Sequence, residues 1–138
     1  MRVSQRLDYT LRGLVELASM PPGISVAAGG IADRLGLPRR FLEQQFTVMA
    51  KRGLLRCQRG AGGGCSLARS AEDISVGEVI RAVQGMVLDV PHTRASATSE
   101  MWTDVAQRIE AAVSAVTLAE LARRQAQLDG AATAMYYI

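Results

Sequence analysis

The sequence predicts a mainly α-helical fold with one small β-hairpin, and three observations carry that prediction. Apolar residues recur at three- and four-residue steps along much of the chain, the spacing of helices with one buried face. Aromatic residues are only 4% of the 138, so the core must come from Leu, Val, Ile, Met and Ala, among which Leu and Ala favour helix. One glycine-dense segment, Arg59-Gly60-Ala61-Gly62-Gly63-Gly64, separates two short runs and reads as the turn of a hairpin. A chain of this length can bury a core without disulfides or metal.

The first helix is expected from about Gln5 to Ser19, with Leu7, Leu11, Leu14, Val15 and Ala18 as its stripe and Pro21-Pro22-Gly23 as its stop. Ile24-Ser25-Val26 is either a strand stub or the approach to a second helix over Val26 to Leu35, which Gly29-Gly30 weakens. Gly36-Leu37-Pro38 is a turn, and Pro38 can open a third helix running to about Arg52, because its missing N–H costs nothing there. Phe41, Leu42, Phe46 and Met49 form the buried stripe of that helix, and Gly53 ends it. Leu54 to Gln58 and Cys65 to Arg69 are the arms of the hairpin. Ser75-Val76-Gly77-Glu78 has capping-box spacing and starts a helix ending near Gly85. A loop follows, and from about Ser99 a long helix carries Trp102, Val105, Ile109, Val113 and Val116 in one stripe. Thr117-Leu118-Ala119-Glu120 is a second capping box, opening a helix to about Leu128 before an Ala-rich tail.

Two short helices joined by a tight glycine-containing turn form a helix-turn-helix, and a hairpin directly after it is a wing. The expected organisation is therefore a winged helix-turn-helix over 1–85, a loop over 86–98, and a dimerisation helix with a C-terminal helix or tail over 99–138. Charge supports a polyanionic partner for the first part only: residues 1–70 hold eleven Arg and Lys against four acids, while residues 71–138 hold five against nine. No long apolar stretch follows the N-terminus, so neither a signal peptide nor a membrane span is expected, and the expected compartment is the cytoplasm.

Double-stranded DNA offers a major groove that admits a helix. Arg39, Arg40 and Gln44 lie at the start of the third helix, where Arg can bond guanine and Gln can bond adenine. Lys51 at its far end suits a phosphate. Arg59, Gly60, Gly62 and Gly63 of the wing suit close approach to a groove, with Arg59 entering a narrow minor groove. A nucleotide-binding loop would need Lys after the glycines, and Cys65-Ser66-Leu67 follow instead. Catalysis by Cys57 or Cys65 with His92, the one histidine, lacks a nearby base and pocket, so no enzyme is expected. A pure protein-interaction module would leave the charge split and the wing unexplained.

Cys57 and Cys65 are placed symmetrically about position 61 and can face each other across the wing. A cytosolic setting favours a reduced pair; the alternative is a reversible disulfide acting as a redox switch. His92 is a weak metal candidate, since one ligand makes no site.

Several segments, in order, resemble the Rrf2 family of bacterial winged helix-turn-helix transcription regulators, which includes iron–sulfur, nitric-oxide and cysteine-metabolism regulators. They are Met1-Arg2-Val3-Ser4, Asp8-Tyr9-Thr10-Leu11-Arg12, Ile31 to Leu37, Phe41-Leu42-Glu43-Gln44, Gly53-Leu54-Leu55, Arg59 to Gly64 and Ile74 to Ile80. The resemblance implies a homodimer with paired winged domains and crossed long helices, acting as a regulator, here expected to be a repressor. Many relatives hold an iron–sulfur cluster with three cysteines in the loop before the long helix. Residues 86–100 contain none, so no such cluster is expected. Cys65 also stands where the family usually has Tyr. Control would then fall to a small-molecule effector, to the Cys57/Cys65 pair, or to no signal at all.

Overall fold

The computed structural model describes residues 1–91 and 94–136. Six helices and one two-stranded sheet follow in the order α1 (Gln5–Ala18), α2 (Ala28–Leu35), α3 (Arg39–Lys51), β1 (Leu55–Gln58), β2 (Gly64–Leu67), α4 (Val76–Gln84), α5 (Ala97–Ser114) and α6 (Leu118–Tyr136), with one 3-10 turn over Ala71–Asp73. Caps written in the sequence set the boundaries. Ser4 accepts from the Leu7 amide at the start of α1, and Ser75 and Glu78 close a reciprocal capping box on α4.

Leu14, Ile31, Leu42, Phe46, Met49, Ile74, Val79 and Leu118 are completely or almost completely buried and draw α1 to α4 and the start of α6 around one core. The expected stripe of α3 is there, with Phe41 half-buried edge-on against Tyr9 of α1. The inward face of α1 is rotated from the expected one. Leu7, Thr10, Gly13, Leu14 and Leu17 are buried, while Leu11 and Val15 line a cleft shared with Leu121 and Leu128 of α6. The reason is that α1 is covered on two sides, so its apolar residues serve two neighbours. Buried Thr10 satisfies its hydroxyl by donating to the Arg6 carbonyl at 2.7 Å.

Gly36, left-handed at φ 67°, closes α2 and turns the chain into α3. Pro38 is the N-cap of α3 rather than its first residue. β1 and β2 pair antiparallel with Leu55 opposite Leu67, Arg56 opposite Ser66, Cys57 opposite Cys65 and Gln58 opposite Gly64. Val26 makes a further isolated bridge to Cys65, so within the Ile24–Val26 segment that one residue pairs as a strand would.

The C-terminal region differs from expectation in three respects. A Ser96/Ser99 capping box starts α5 at Ala97, before Ser99. Val116 is not part of the α5 stripe. It lies in the connection to α6, where its carbonyl accepts from the Val76 amide at 2.8 Å, and Leu118 bonds Ile74 at 2.9 Å beside it. The Ala-rich tail is helical to Tyr136, because a run of Ala carries helix through Gly130 at a cost of about 1 kcal/mol. No described helix is long and apolar enough to cross a membrane.

Candidate nucleic-acid interface

The core fixes what α3 shows to solvent. Leu42, Phe46 and Met49 point inward. At 100° per residue, Arg40, Gln44, Thr47 and Lys51 then fall within one narrow stripe on the opposite side, and all four are exposed. Arg39 and Glu43 flank that stripe on the side of the wing, where they line a shallow cleft with Thr47, Cys57, Gln58, Arg59, Gly60 and Gly63. Arg39, Arg40, Gln44, Lys51 and Arg59 thus share one continuous surface formed by α3 and the hairpin. Glu43 and Thr47, which are not among the DNA-contact residues expected from sequence, join it; their i+3 and i+4 spacing from Arg39, Arg40 and Gln44 is the signal that places them there.

Arg39 has a defined seat. Its Nε lies 3.6 Å from an Asp33 carboxylate oxygen. Its guanidinium also lies over Gly29, so close that a Cβ at position 29 would collide with it. Gly29 therefore weakens α2 as a helix former and leaves room for the first basic side chain of α3. Arg40, by contrast, makes no ion pair among the described residues.

Arg59 is exposed at the start of the wing tip. The tip turns through Gly60 at φ 97° and Gly62 at φ 74°, a conformation that other residues seldom adopt. At the base of the tip Cys57 and Cys65 are joined by a disulfide, their Cα atoms 4.1 Å apart. The symmetric placement read from the sequence is thus realised, with the two sulfurs at bonding distance as the disulfide alternative requires. The physical reason is register: Cys57 and Cys65 are direct cross-strand partners.

Of the expected dimerisation residues, Trp102, Val105, Ile109 and Val113 do lie along α5, and α5 buries none of its residues. The helix leans on α4 through another face, by an ion pair between Arg81 and Glu110 and by Ser114 against Gly77. His92 lies outside the described residues. Among the described residues no three His, Cys, Asp or Glu side chains come together as a metal site.

A helix-turn-helix with its second helix exposed and a hairpin alongside defines a winged helix-turn-helix, the architecture of DNA-binding regulators. Comparison with known proteins agrees. The profile of the Rrf2 family, described as "Iron-dependent Transcriptional regulator", matches residues 3–124. The HTH-type transcriptional regulator IscR of Escherichia coli O1:K1 / APEC is 31% identical, over 94% of this chain and 85% of its own length. T. potens IscR superposes with a TM-score of 0.76 at 33% identity, covering 91% of this chain and 88% of that one. CymR (YrzC), the global cysteine regulator of B. subtilis, superposes at 0.78 with 26% identity, covering 90% and 98%. The chain belongs to the Rrf2 family and is a DNA-binding transcription regulator rather than an enzyme.

Proposed function

We propose that this protein is a cytoplasmic, homodimeric repressor that reads an operator through α3 and the wing, without a three-cysteine iron–sulfur cluster. The observation that carries the reading is the alignment of Arg40, Gln44, Thr47 and Lys51 on one exposed face of α3, beside the wing that bears Arg59. Arg40 and Gln44 reach base edges, Lys51 and Arg39 hold phosphates, and Arg59 enters the neighbouring minor groove with Gly60, Gly62 and Gly63 allowing the approach. Occupancy of a promoter-proximal operator excludes polymerase.

The dimer is supported by α5. Its stripe of Trp102, Val105, Ile109 and Val113 lies on a different face from Glu110 and Ser114, which meet α4; Trp102 is 39% exposed, and the other three are half-buried. A second copy covers such a stripe by two-fold symmetry, which also sets two α3 helices against a palindromic site. Freedom from the family's cluster is supported by the donor set. The loop over 86–98 contains Asp89 and His92 but no thiol, and both thiols of the chain belong to the wing. Thiolates are the usual ligands of such clusters.

A fluorescence anisotropy titration with duplex DNA at varied salt tests the DNA reading. Affinity should fall steeply with salt, as phosphate contacts release counterions. Absent or salt-insensitive binding refutes it. Iron and sulfide assays on protein purified without oxygen test the cluster statement, and stoichiometric amounts of both would overturn it.

A further inference from the structure

We infer that the Cys57–Cys65 pair is a thiol–disulfide site that clamps the wing for DNA binding, the oxidised form binding more tightly than the reduced one. The inference rests on the DNA-binding reading and adds a means of regulation at the same surface.

The argument begins with which strand is anchored. The Cys65 amide donates to the Val26 carbonyl at 2.8 Å and the Val26 amide to the Cys65 carbonyl at 2.9 Å. Both polar backbone groups of Cys65 therefore point away from β1, so Cys57 and Cys65 form a non-hydrogen-bonded pair of the ladder. Cys65 is also 7% exposed and part of the main core. β2 is thus fixed to the segment leading into α2. β1 is different: after buried Leu55, residues Arg56, Cys57 and Gln58 are all exposed. Beyond the cysteines only the Gln58–Gly64 pair remains before the tip that bears Arg59. The sulfur–sulfur bond is consequently a covalent cross-link between the anchored strand and the exposed one, placed at the neck of a tip with four glycines. Broken, it frees a glycine-rich segment whose ordering on DNA then costs binding free energy.

The asymmetry in burial also sets the chemistry. Cys57, on the exposed strand between Arg56 and Arg59, is open to an anionic thiolate, whereas Cys65 is shielded. A thiolate of a small dithiol attacks the Cys57 sulfur, forming a mixed disulfide and releasing Cys65 as thiolate. The second thiol of the reductant then displaces Cys57, leaving two protein thiols and the cyclic disulfide of the reductant. Reoxidation by a linear low-molecular-weight disulfide takes two exchanges of the same kind: the Cys57 thiolate attacks it, forming a mixed disulfide and releasing one small thiol, and the Cys65 thiolate then attacks Cys57 and displaces the second. Exposed disulfides of this kind are the exchangeable ones.

The test uses the full chain, oxidised with glutathione disulfide or reduced with dithiothreitol, with its thiols counted. Two readouts are taken: hydrogen exchange of the wing amides over 55–67, and anisotropy on duplex DNA. Reduction should speed exchange in the wing and weaken DNA binding by roughly tenfold. The Cys57→Ser variant, which leaves the buried Cys65 in place, should match the reduced protein and ignore oxidant. Equal exchange and equal affinity in the two states overturn the inference, as does a bond that millimolar dithiothreitol does not open. Changed exchange with no DNA binding in either state instead refutes the DNA-binding reading and keeps the clamp.

Discussion

Arg39 and Gly29 illustrate how one side chain is set by the absence of another. Any Cβ at position 29 would occupy the space of the Arg39 guanidinium. Because that group is the far end of a flexible side chain, it would move rather than strain the fold. Gly29→Ala should therefore raise helix stability, by up to about 1 kcal/mol. The same substitution should weaken DNA binding by about 1–3 kcal/mol, the scale of one charge-assisted bond. Thermal unfolding and anisotropy on one sample separate the two effects, and weakened stability with unchanged binding would reject the seat. Arg40→Ala and Arg59→Ala should divide by role. Both side chains are exposed, so stability should change by no more than about 0.5 kcal/mol. Loss of Arg40 should reduce discrimination of operator from random duplex by about 1–3 kcal/mol. Loss of Arg59 should lower affinity for both.

At the scale of elements, the caps carry local stability and the wing carries little of its own. Ser75 caps α4 with Glu78, which also accepts two bonds from Arg69 at 3.0 and 3.1 Å. Ser75→Ala should cost about 1 kcal/mol, read as a lower denaturant midpoint with an unchanged slope. The box was legible in the sequence because Ser and Glu stand three residues apart. Its tie to Arg69 was not, because it depends on where the hairpin delivers that residue. The same holds for Cys57 and Cys65. Their symmetry about position 61 could be counted, but only the pairing register brings their side chains together on one face.

For the whole molecule, α5 is a long helix that packs on α4 without burying any of its own residues. Its half-buried apolar stripe lies on a different face from Glu110 and Ser114, which meet α4. Ile109→Glu places a charge in the middle of that stripe. Sedimentation should then show monomers at micromolar concentration, with helix content retained by circular dichroism. DNA binding should fall with it, because a single winged domain grips only one half-site. Dimers of Ile109→Glu as tight as those of the unaltered protein would move the interface elsewhere, and the cleft between α1 and α6 would be the next surface to test.

Periodicity, capping spacing and glycine density by themselves determined five of this protein's features: the first helix, the helix-turn-helix, the wing, the capped α4 and most of the apolar stripe of α5. These are local properties, written in residues three or four apart or in adjacent turn residues. Only the tertiary structure decided the rest. It rotated the buried face of α1, because α1 is packed on two sides. It removed Val116 from the α5 stripe, because the backbone there is bonded to the start of α4. It carried α6 to Tyr136, and it brought Arg39 onto Gly29 and Cys57 onto Cys65. Each of these depends on contacts between segments distant in sequence, and such contacts leave no periodic trace in the chain that makes them.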